Sequence, residues 1–329
     1  MALLMTLVFL PVLAAALAWL AAGPDLMRRF EGHAEADRVA FSTAAQLATE
    51  LNDMAVLNRK ILASHLMVAH LTTYLSFTRY LKDMVDRLSY LLPFGHSFIK
   101  GGTTLLVETA KIQLQGGIGV ALGMQHQWAF QSADILMKGG GRIMAEAENK
   151  DGQWPLETVC LGSLCGRAAL DTALHAAIPV IEENPADYTR LSMQALRGLP
   201  QADWHTGRQW QQNVLGLLEA RRSGATQSDF TGRGWRASDQ LAARIKFLFF
   251  GFRWRTLIDS SASTVVDGFV YRGLPWLLEW HGPSIFPLTL RFKHPTAGAV
   301  EATSRTRFLE GGDTDLWRPV WRAELTGGA

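Results

Sequence analysis

A long helix without proline is the first element that the hydrophobic pattern predicts. Residues 34–62 contain neither Pro nor Gly and are rich in Ala, Leu, Glu and Gln, which favour helix. Mostly apolar positions recur at alternating steps of four and three, so they share one helix face: Leu47, Leu51, Met54, Asn58 and Ile61. Neighbouring alanines would let another helix approach closely. We predict that this row is a helix-packing interface in which polar Asn58 sets the register; an ordinary core helix is the alternative.

The same spacing recurs on both sides of a short turn. Before the turn, apolar residues with this spacing continue the first helix, which Pro93 and Gly95 are predicted to end. A second helix is predicted over residues 103–138 between glycine runs, and its row consists of Leu114, Ile118, Ala121, Met124 and Trp128. Two rows joined by a short turn predict an antiparallel helical hairpin, which would form a stalk over residues 24–141.

The pattern of hydrophobic and polar residues changes in the second half of the chain. Short helices are predicted over residues 167–178, 185–196, 209–222 and 238–249. Period-two alternation over residues 288–293 and 301–308 predicts strands with one solvated face. The predicted fold class is therefore α+β. A linker and short helices would occupy residues 142–225, and a small β-containing head would occupy residues 226–329.

The N-terminal segment is apolar. Met1 to Ala22 carries no charged side chain, and 22 helical residues span about 33 Å against a bilayer core of about 30 Å. Residues 1–23 are therefore predicted to be a transmembrane anchor, with a cleaved signal peptide as the competing interpretation. Arg28 and Arg29 follow the span and favour a cytoplasmic side. This position of the arginines conflicts with a chain whose remainder lies in the periplasm. A leader that precedes Met1, or the processing of such a leader, would resolve the conflict.

Composition and charge exclude several classes of protein. The chain has 329 residues, of which 48% are hydrophobic, and a net charge of only +2. Its mean hydropathy of +0.06 argues against several membrane spans. No basic tract dominates, so nucleic acid is not a predicted partner.

Candidate chemistry is sparse. Cys160 and Cys165 are too few for a disulfide scaffold, but they can close a small loop in an oxidising compartment. His65 and His70 are five residues apart, whereas ligands on one helix face are three or four apart. No glycine-rich phosphate loop or nucleophile motif is present in the sequence. The sequence therefore predicts no catalytic residue, no metal, no cofactor and no small-molecule substrate.

A basic and aromatic segment admits two interpretations. Lys246 to Arg255 reads KFLFFGFRWR. Its phenylalanines could enter a membrane interface beside the positive charges. Alternatively, it is a core element in which a helix end leads into a strand at Gly251. Ten residues are a short signal for a membrane surface, so the core interpretation is favoured.

Two stretches resemble a known family. The run Leu10-Pro11-Val12-Leu13, an Arg pair, Ala34-Glu35-Ala36-Asp37 and the helix ending Leu51-Asn52-Asp53-Met54-Ala55-Val56-Leu57-Asn58-Arg59 resemble TadE/TadG-like pilus-assembly proteins. The segment Leu316 to Leu325 is similar to the ending of longer members, an aromatic residue followed by Pro, Trp, x, Ala, x and Leu. The resemblance covers the first 80 residues or so and the end of the chain.

This resemblance implies a bacterial component of a tight-adherence (Flp-type) pilus or related secretion system. It would be non-enzymatic, anchored once in the inner membrane, largely periplasmic, and associated with pilin-like partners. Polymerising pilins carry Glu at the fifth mature position. In this chain the fifth residue is Met5, and no acidic residue precedes Asp25. A minor pseudopilin or accessory role is therefore predicted. The alternative is a tethered periplasmic enzyme or ligand-binding domain, which a deep pocket with converging titratable groups would favour.

Overall fold

Three helices and twelve strands make up the described part of the chain. The computed structural model describes residues 2–89, 96–148, 155–181, 208–214, 218–228, 234–247, 250–251, 253–264, 267–269, 271, 276–294, 298–309 and 315–326. The helices are α1 (Ala2–Ser89), α2 (His96–Glu148) and α3 (Arg167–Ala177). The strands are β1 (Leu156–Leu161), β2 (Leu164–Cys165), β3 (Val180–Ile181), β4 (Arg208–Val214), β5 (Leu218–Ser228), β6 (Trp235–Phe247), β7 (Phe250–Gly251), β8 (Arg255–Ser263), β9 (Leu277–Leu278), β10 (Ile285–His294), β11 (Gly298–Phe308) and β12 (Trp321–Leu325).

The strands form two larger sheets, and every pair in them is antiparallel. The first sheet has the order β12-β11-β10-β1-β2. In the second sheet β4, β5 and β6 follow one another, and β7 and β8 both pair with β6. Strands β3 and β9 form a separate short ribbon.

The chain divides into two compact units built from discontinuous segments. Unit 1 comprises Met1–Met54, Ala133–Pro179 and Trp280–Ala329, and it contains the first sheet. Unit 2 comprises Ala55–Ser132 and Val180–Glu279, and it contains the second sheet and the β3–β9 ribbon. Both long helices contribute to both units. The domain boundaries predicted after residues 23, 141 and 225 stay predictions.

In unit 1 a stripe of alanines on α1 packs against the first sheet. The stripe is buried and repeats every four residues, at Ala36, Ala40, Ala44 and Ala48. Because these side chains are small, β11 lies close to the helix backbone. Ser304 Oγ donates to the carbonyl of Ala40 at 2.8 Å, and Thr306 Oγ1 donates to that of Ala44 at 2.9 Å. The close approach that these alanines permit is thus made by a strand and not by a second helix.

An aromatic cluster completes the core of unit 1. The Trp280 and Trp321 rings are 4.6 Å apart, and Phe308 and Phe286 pack edge-on against Trp321 and Trp280. Gly282 is required beside this cluster, since an added Cβ would lie 2.6 Å from the Trp280 ring. The tryptophans near the end of the chain therefore serve the core.

Unit 2 has its own core, to which both long helices contribute. The buried cluster contains Leu66, Val68, Ala69 and Leu75 of α1, Val107, Ala110, Leu114, Ile118 and Ala121 of α2, and Trp235, Ala262 and Tyr271. At Gly117 the two helices approach so closely that an added Cβ would lie 2.2 Å from Leu71 Cδ1. The apolar row predicted on the second helix is therefore a core row over its first three members.

The predicted fold class is wrong in its architecture. A transmembrane helix continuing into a hairpin stalk with a small head is not what the chain forms, because strands cover faces of α1 and two five-stranded sheets carry much of the fold. The helices predicted over residues 209–222 and 238–249 are wrong, because their described residues lie in strands of the second sheet. The helix over 167–178 and the strands over 288–293 and 301–308 are confirmed. The helix predicted over 185–196 lies outside the described residues.

The predicted membrane anchor is also corrected. Among the described residues, no helix has a stretch both long and apolar enough to span a bilayer. The apolar N-terminal run belongs to α1, which continues without a break through the charged residues Asp25, Arg28 and Arg29 to Ser89. This finding overturns the expected single-pass location in the inner membrane.

Candidate functional site

The predicted helix-packing row lies in the protein interior. Leu47, Leu51 and Met54 belong to unit 1, and Asn58 and Ile61 belong to unit 2. Each of the five is at most 2% exposed. Residues of this chain therefore surround the row.

Two asparagines on α1 each pair with the backbone of a strand. Asn58 Nδ2 donates to the carbonyl of Leu278 at 2.7 Å, and the Leu278 amide donates to Asn58 Oδ1 at 3.4 Å. Asn52 makes the same two bonds with Trp321, at 3.0 and 2.9 Å. A primary amide carries a donor and an acceptor side by side, so each asparagine pairs with a strand residue as a neighbouring strand would. The sequence singled out Asn58 but missed Asn52, although Leu-Asn occurs at both places.

A polar cluster is buried in unit 2. The Tyr271 hydroxyl is hydrogen-bonded to His65 Nδ1 and accepts from Gln125 Nε2 at 3.3 Å. The His65 ring also lies 4.9 Å from that of Trp235. The hydroxyl has one proton to donate, and with that proton assigned to the bond with Nδ1 the neutral imidazole carries its own proton on Nε2. His65 Nε2 and Gln125 Oε1 have no hydrogen-bond partner among the described residues.

Burial keeps both titratable groups of this cluster neutral. It lowers the pKa of His65 to about 3 and raises the pKa of Tyr271 above its ordinary value. Each residue is at most 1% exposed, so no substrate reaches it. A general base needs a pKa near the working pH and access to a proton on the substrate. The cluster meets neither condition and is structural.

Charged residues in unit 2 are engaged with one another. Buried Asp239 accepts from Ser76 Oγ at 2.9 Å and pairs with Arg222 at 3.1 Å. The Arg222 guanidinium lies over Phe77 and Tyr80, at 4.7 and 4.9 Å from the ring centroids. This sandwich of a cation between aromatic rings and a carboxylate stabilises a charge that water does not reach freely.

One described cavity is open to solvent. It has a volume of about 270 Å³ and is lined by Gln115, Ile118, Gly119, Leu122, Asp267, Gly268 and Phe269. Its carboxylate, Asp267, is already paired with both terminal nitrogens of Arg79 and accepts from the amide of Ser263. Small-molecule sites usually start near 300 Å³ and present a few converging polar groups. This cavity does not meet that description.

The remaining sequence candidates have structural positions. Cys160 and Cys165 form a disulfide across the β1–β2 hairpin. Within the described ranges, no group of three or more His, Cys, Asp or Glu could hold a metal ion. In the Lys246 to Arg255 segment, the expected helix end is the end of β6, paired with β7. There Trp254 lies beneath the guanidinium groups of Arg221 and Arg244.

An exposed row on α2 is the surface that sequence reasoning missed. It follows steps of four and three through Leu105, Thr109, Ile112, Gly116, Gly119, Gly123, His126 and Phe130, all exposed and all in unit 2. Leu105, Ile112 and Phe130 are 63–70% exposed. A Cβ added at any of the three glycines would meet nothing within 4 Å. We call this surface the α2 row. The repeated glycine spacing was its sequence signal.

Comparisons with known proteins found no similar protein. No protein-family model, curated protein or solved structure matches the chain. The site is therefore interpreted from its geometry.

Proposed function

We propose that this protein is a non-enzymatic accessory component of a TadE/TadG-like pilus-assembly or related secretion system. It would act by packing the α2 row against a helix of a partner protein. The observation that carries the proposal is the exposed, uncharged four-three spacing of that row. The resemblance of the α1 sequence and of the chain's ending supports the choice of system. No membrane anchor is part of the proposal.

The spacing of the α2 row suits a helical partner. From Leu105 to Phe130 the row runs about 38 Å along one face of α2. Alternating steps of four and three are the pattern of helices that pack lengthwise. Three glycines at the middle permit close approach, while Ile112 and Phe130 supply apolar area toward the ends. Because the row carries no charge, the matching surface is an uncharged helix face with bulky residues opposite the glycines.

The size of the row favours a reversible contact. A strip of about 38 Å by about 10 Å covers about 400 Å² on each partner. The total of about 800 Å² is below the 1,200–2,000 Å² or so of stable protein interfaces. A weak contact suits an accessory component that binds and leaves, and it does not suit a filament subunit that is held permanently.

The buried and paired state of the polar groups supports a non-enzymatic role. In the described part of the chain, the strongly perturbed residues His65 and Tyr271 are enclosed. The carboxylate in the open cavity is neutralised by Arg79. The alternative of a ligand-binding or catalytic domain has no comparable observation in its favour.

The test is a crosslinking experiment in the native host. A photoreactive amino acid at Ile112 should crosslink to a pilus-assembly protein, and Ile112→Lys combined with Gly119→Lys should abolish that crosslink and pilus formation. Thr104→Lys with Gln131→Lys adds the same charge to exposed positions of α2 outside the row and should change neither. Normal pilus formation in the row variant, or crosslinks only to unrelated proteins, would show that the proposal is wrong.

A further inference from the structure

Three neighbouring strands of the first sheet, β10, β11 and β12, concentrate positive charge on their solvent side. On β10, β11 and β12, the alternation of side chains places five cations and two carboxylates outward, where they are exposed or half-buried: Arg291, Lys293, Arg305, Arg307 and Arg322, with Glu301 and Glu324. Five cations against two carboxylates leave an excess of three, although the whole chain carries only +2. We call this surface the basic face, and it lies entirely in unit 1.

The two carboxylates leave part of this charge uncompensated. Arg291 faces Glu301 at 3.5 Å across neighbouring strands. Arg305 pairs with Glu324 at 2.7 Å, and Arg307 reaches the same carboxylate only at 4.0 Å. One carboxylate therefore serves two guanidinium groups.

Arg307 lies directly opposite another arginine. In the register of β11 and β12 its cross-strand partner is Arg322, and both are exposed. Like charges directly opposite each other destabilise a sheet, whereas opposite charges stabilise it. The next row along the same strands, Arg305 opposite Glu324, has the favourable arrangement. Local rules of this kind are most often broken where a sequence serves function rather than stability.

We propose that the basic face binds the carboxylates of an acidic protein surface, with Arg307 and Arg322 as the paired contact. A guanidinium presents two parallel N–H donors that match a carboxylate, so one carboxylate between the two arginines would relieve their repulsion. The ligand supplies the charge that the sheet lacks at this row.

The composition of the basic face distinguishes a protein partner from other polyanions. Arginines outnumber lysines four to one, and exposed Ile285 and Pro287 lie beside Arg307 and Arg305 in the same rows. Arginine mixed with apolar residues is typical of protein interfaces, where lysine is depleted. Nucleic acids and anionic bilayers instead select continuous Lys/Arg surfaces. On the basic face, Glu301 and Glu324 interrupt the row of positive charges.

This inference stands apart from the proposed helix contact. The α2 row carries no charge and lies in unit 2, so its variants should leave the basic face unaffected. Either proposal can fail without the other.

The test uses the full chain and a fluorescent peptide of ten glutamates. Fluorescence anisotropy should show binding that weakens as salt rises, because exposed charge pairs are screened. Arg307→Gln with Arg322→Gln should weaken binding at least about tenfold, the effect of losing two charge-assisted contacts. Arg236→Gln with Arg255→Gln removes two exposed arginines from the second sheet and should leave the affinity unchanged.

A second measurement separates this role from a structural one. Arg322→Gln removes the like-charge pair, so the midpoint of thermal unfolding should rise by about 1–2 °C while peptide affinity falls. A purely structural arginine would lower both.

Three results would overturn the proposal. The wild type could fail to bind the peptide, or the double variant could bind as well as the wild type. Inorganic polyphosphate or phosphatidylserine vesicles could also bind more tightly than the peptide, with the same dependence on Arg307 and Arg322. That last result would assign the face to phosphate chemistry instead.

Discussion

The two units bury polar groups in different ways. In unit 1 the buried carboxylate Glu50 accepts from Gln46 and faces Arg142, whose side chain is 44% exposed. In unit 2 the buried carboxylate Asp239 faces Arg222, whose guanidinium lies over the rings of Phe77 and Tyr80. The cation of the first ion pair is nearly half exposed to water, whereas the cation of the second is a quarter exposed and packs on aromatic rings.

The two units also differ in the polar contacts of their interiors. In unit 1, Ser304 and Thr306 donate to helix carbonyls above small alanines, so each hydroxyl is satisfied. In unit 2, His65 and Gln125 each leave one polar atom without a partner among the described residues, and in unit 1 Glu50 and Trp321 each do the same. An unsatisfied buried polar atom costs stability. Because unit 2 buries the neutral imidazole of His65, it should be the unit that loses stability in acid.

The largest expected effect is at the enclosed carboxylate. Asp239→Ala leaves the Arg222 charge without its partner and should lower the free energy of unfolding by about 3–5 kcal/mol. Glu50→Ala should cost only about 1 kcal/mol, since half-exposed Arg142 can be solvated. Urea unfolding followed by circular dichroism measures both.

A double variant separates the cost of the unpaired Arg222 charge from the cost of removing the Asp239 side chain. Asp239→Ala with Arg222→Leu removes both charges and should recover at least half of the lost stability. Equal losses for Asp239→Ala and Glu50→Ala would contradict the contrast between the two ion pairs.

The two asparagine amides allow a more closely matched comparison. Asn58→Ala removes two hydrogen bonds at a buried site and should cost about 3 kcal/mol, and Asn52→Ala should cost about 2 kcal/mol because Asn52 is half-buried. Hydrogen exchange should show the loss at Leu278 in one case and at Trp321 in the other. Aspartate at either position keeps the acceptor but not the donor, so it should not restore stability. Protection at Trp321 that survives Asn52→Ala would contradict the pairing.

Strong periodicity made part of the fold predictable. The helical regions around residues 34–62 and 103–138, the helix over 167–178 and two alternating strands were found because apolar side chains repeat with clear periods. The helices predicted over 209–222 and 238–249 failed because Gln, Leu, Ala and Arg favour helix locally, while long-range pairing decides. In the sheet, Glu219 lies directly opposite Arg244, a contact across 25 residues that no local pattern reveals.

The candidate surfaces were less predictable than the elements. Helix α2 carries two rows with four-three spacing, one through Leu114 and one through Ile112. Periodicity identifies both but does not say which one the protein buries. The structure buries the first three members of the first row and exposes the second row. The basic face depends on strand register as well. Arg307 and Arg322 are 15 positions apart in sequence, and only the pairing of β11 with β12 brings them together.

The two units should also respond in opposite directions to acid. Burial lowers the folded pKa of His65 from 6.5 to about 3, so the unfolded chain binds more protons between these values. Unit 2 should therefore lose stability as pH falls below about 6.5, by about 2 kcal/mol between pH 7 and pH 5. Burial also lowers the pKa of His70.

Unit 1 should respond in the other direction. Burial raises the pKa of Glu50 above 4.5, so this carboxyl adds stability at low pH that is lost as pH rises through its folded pKa. Native-state hydrogen exchange at pH 7 and pH 5, corrected for intrinsic rates, should show β5 and β6 losing protection while β10 and β11 keep theirs. His65→Gln retains an acceptor for Tyr271 but does not titrate, and it should remove most of the loss in unit 2. If His65→Gln leaves the acid response of β5 and β6 unchanged, His65 is not its source.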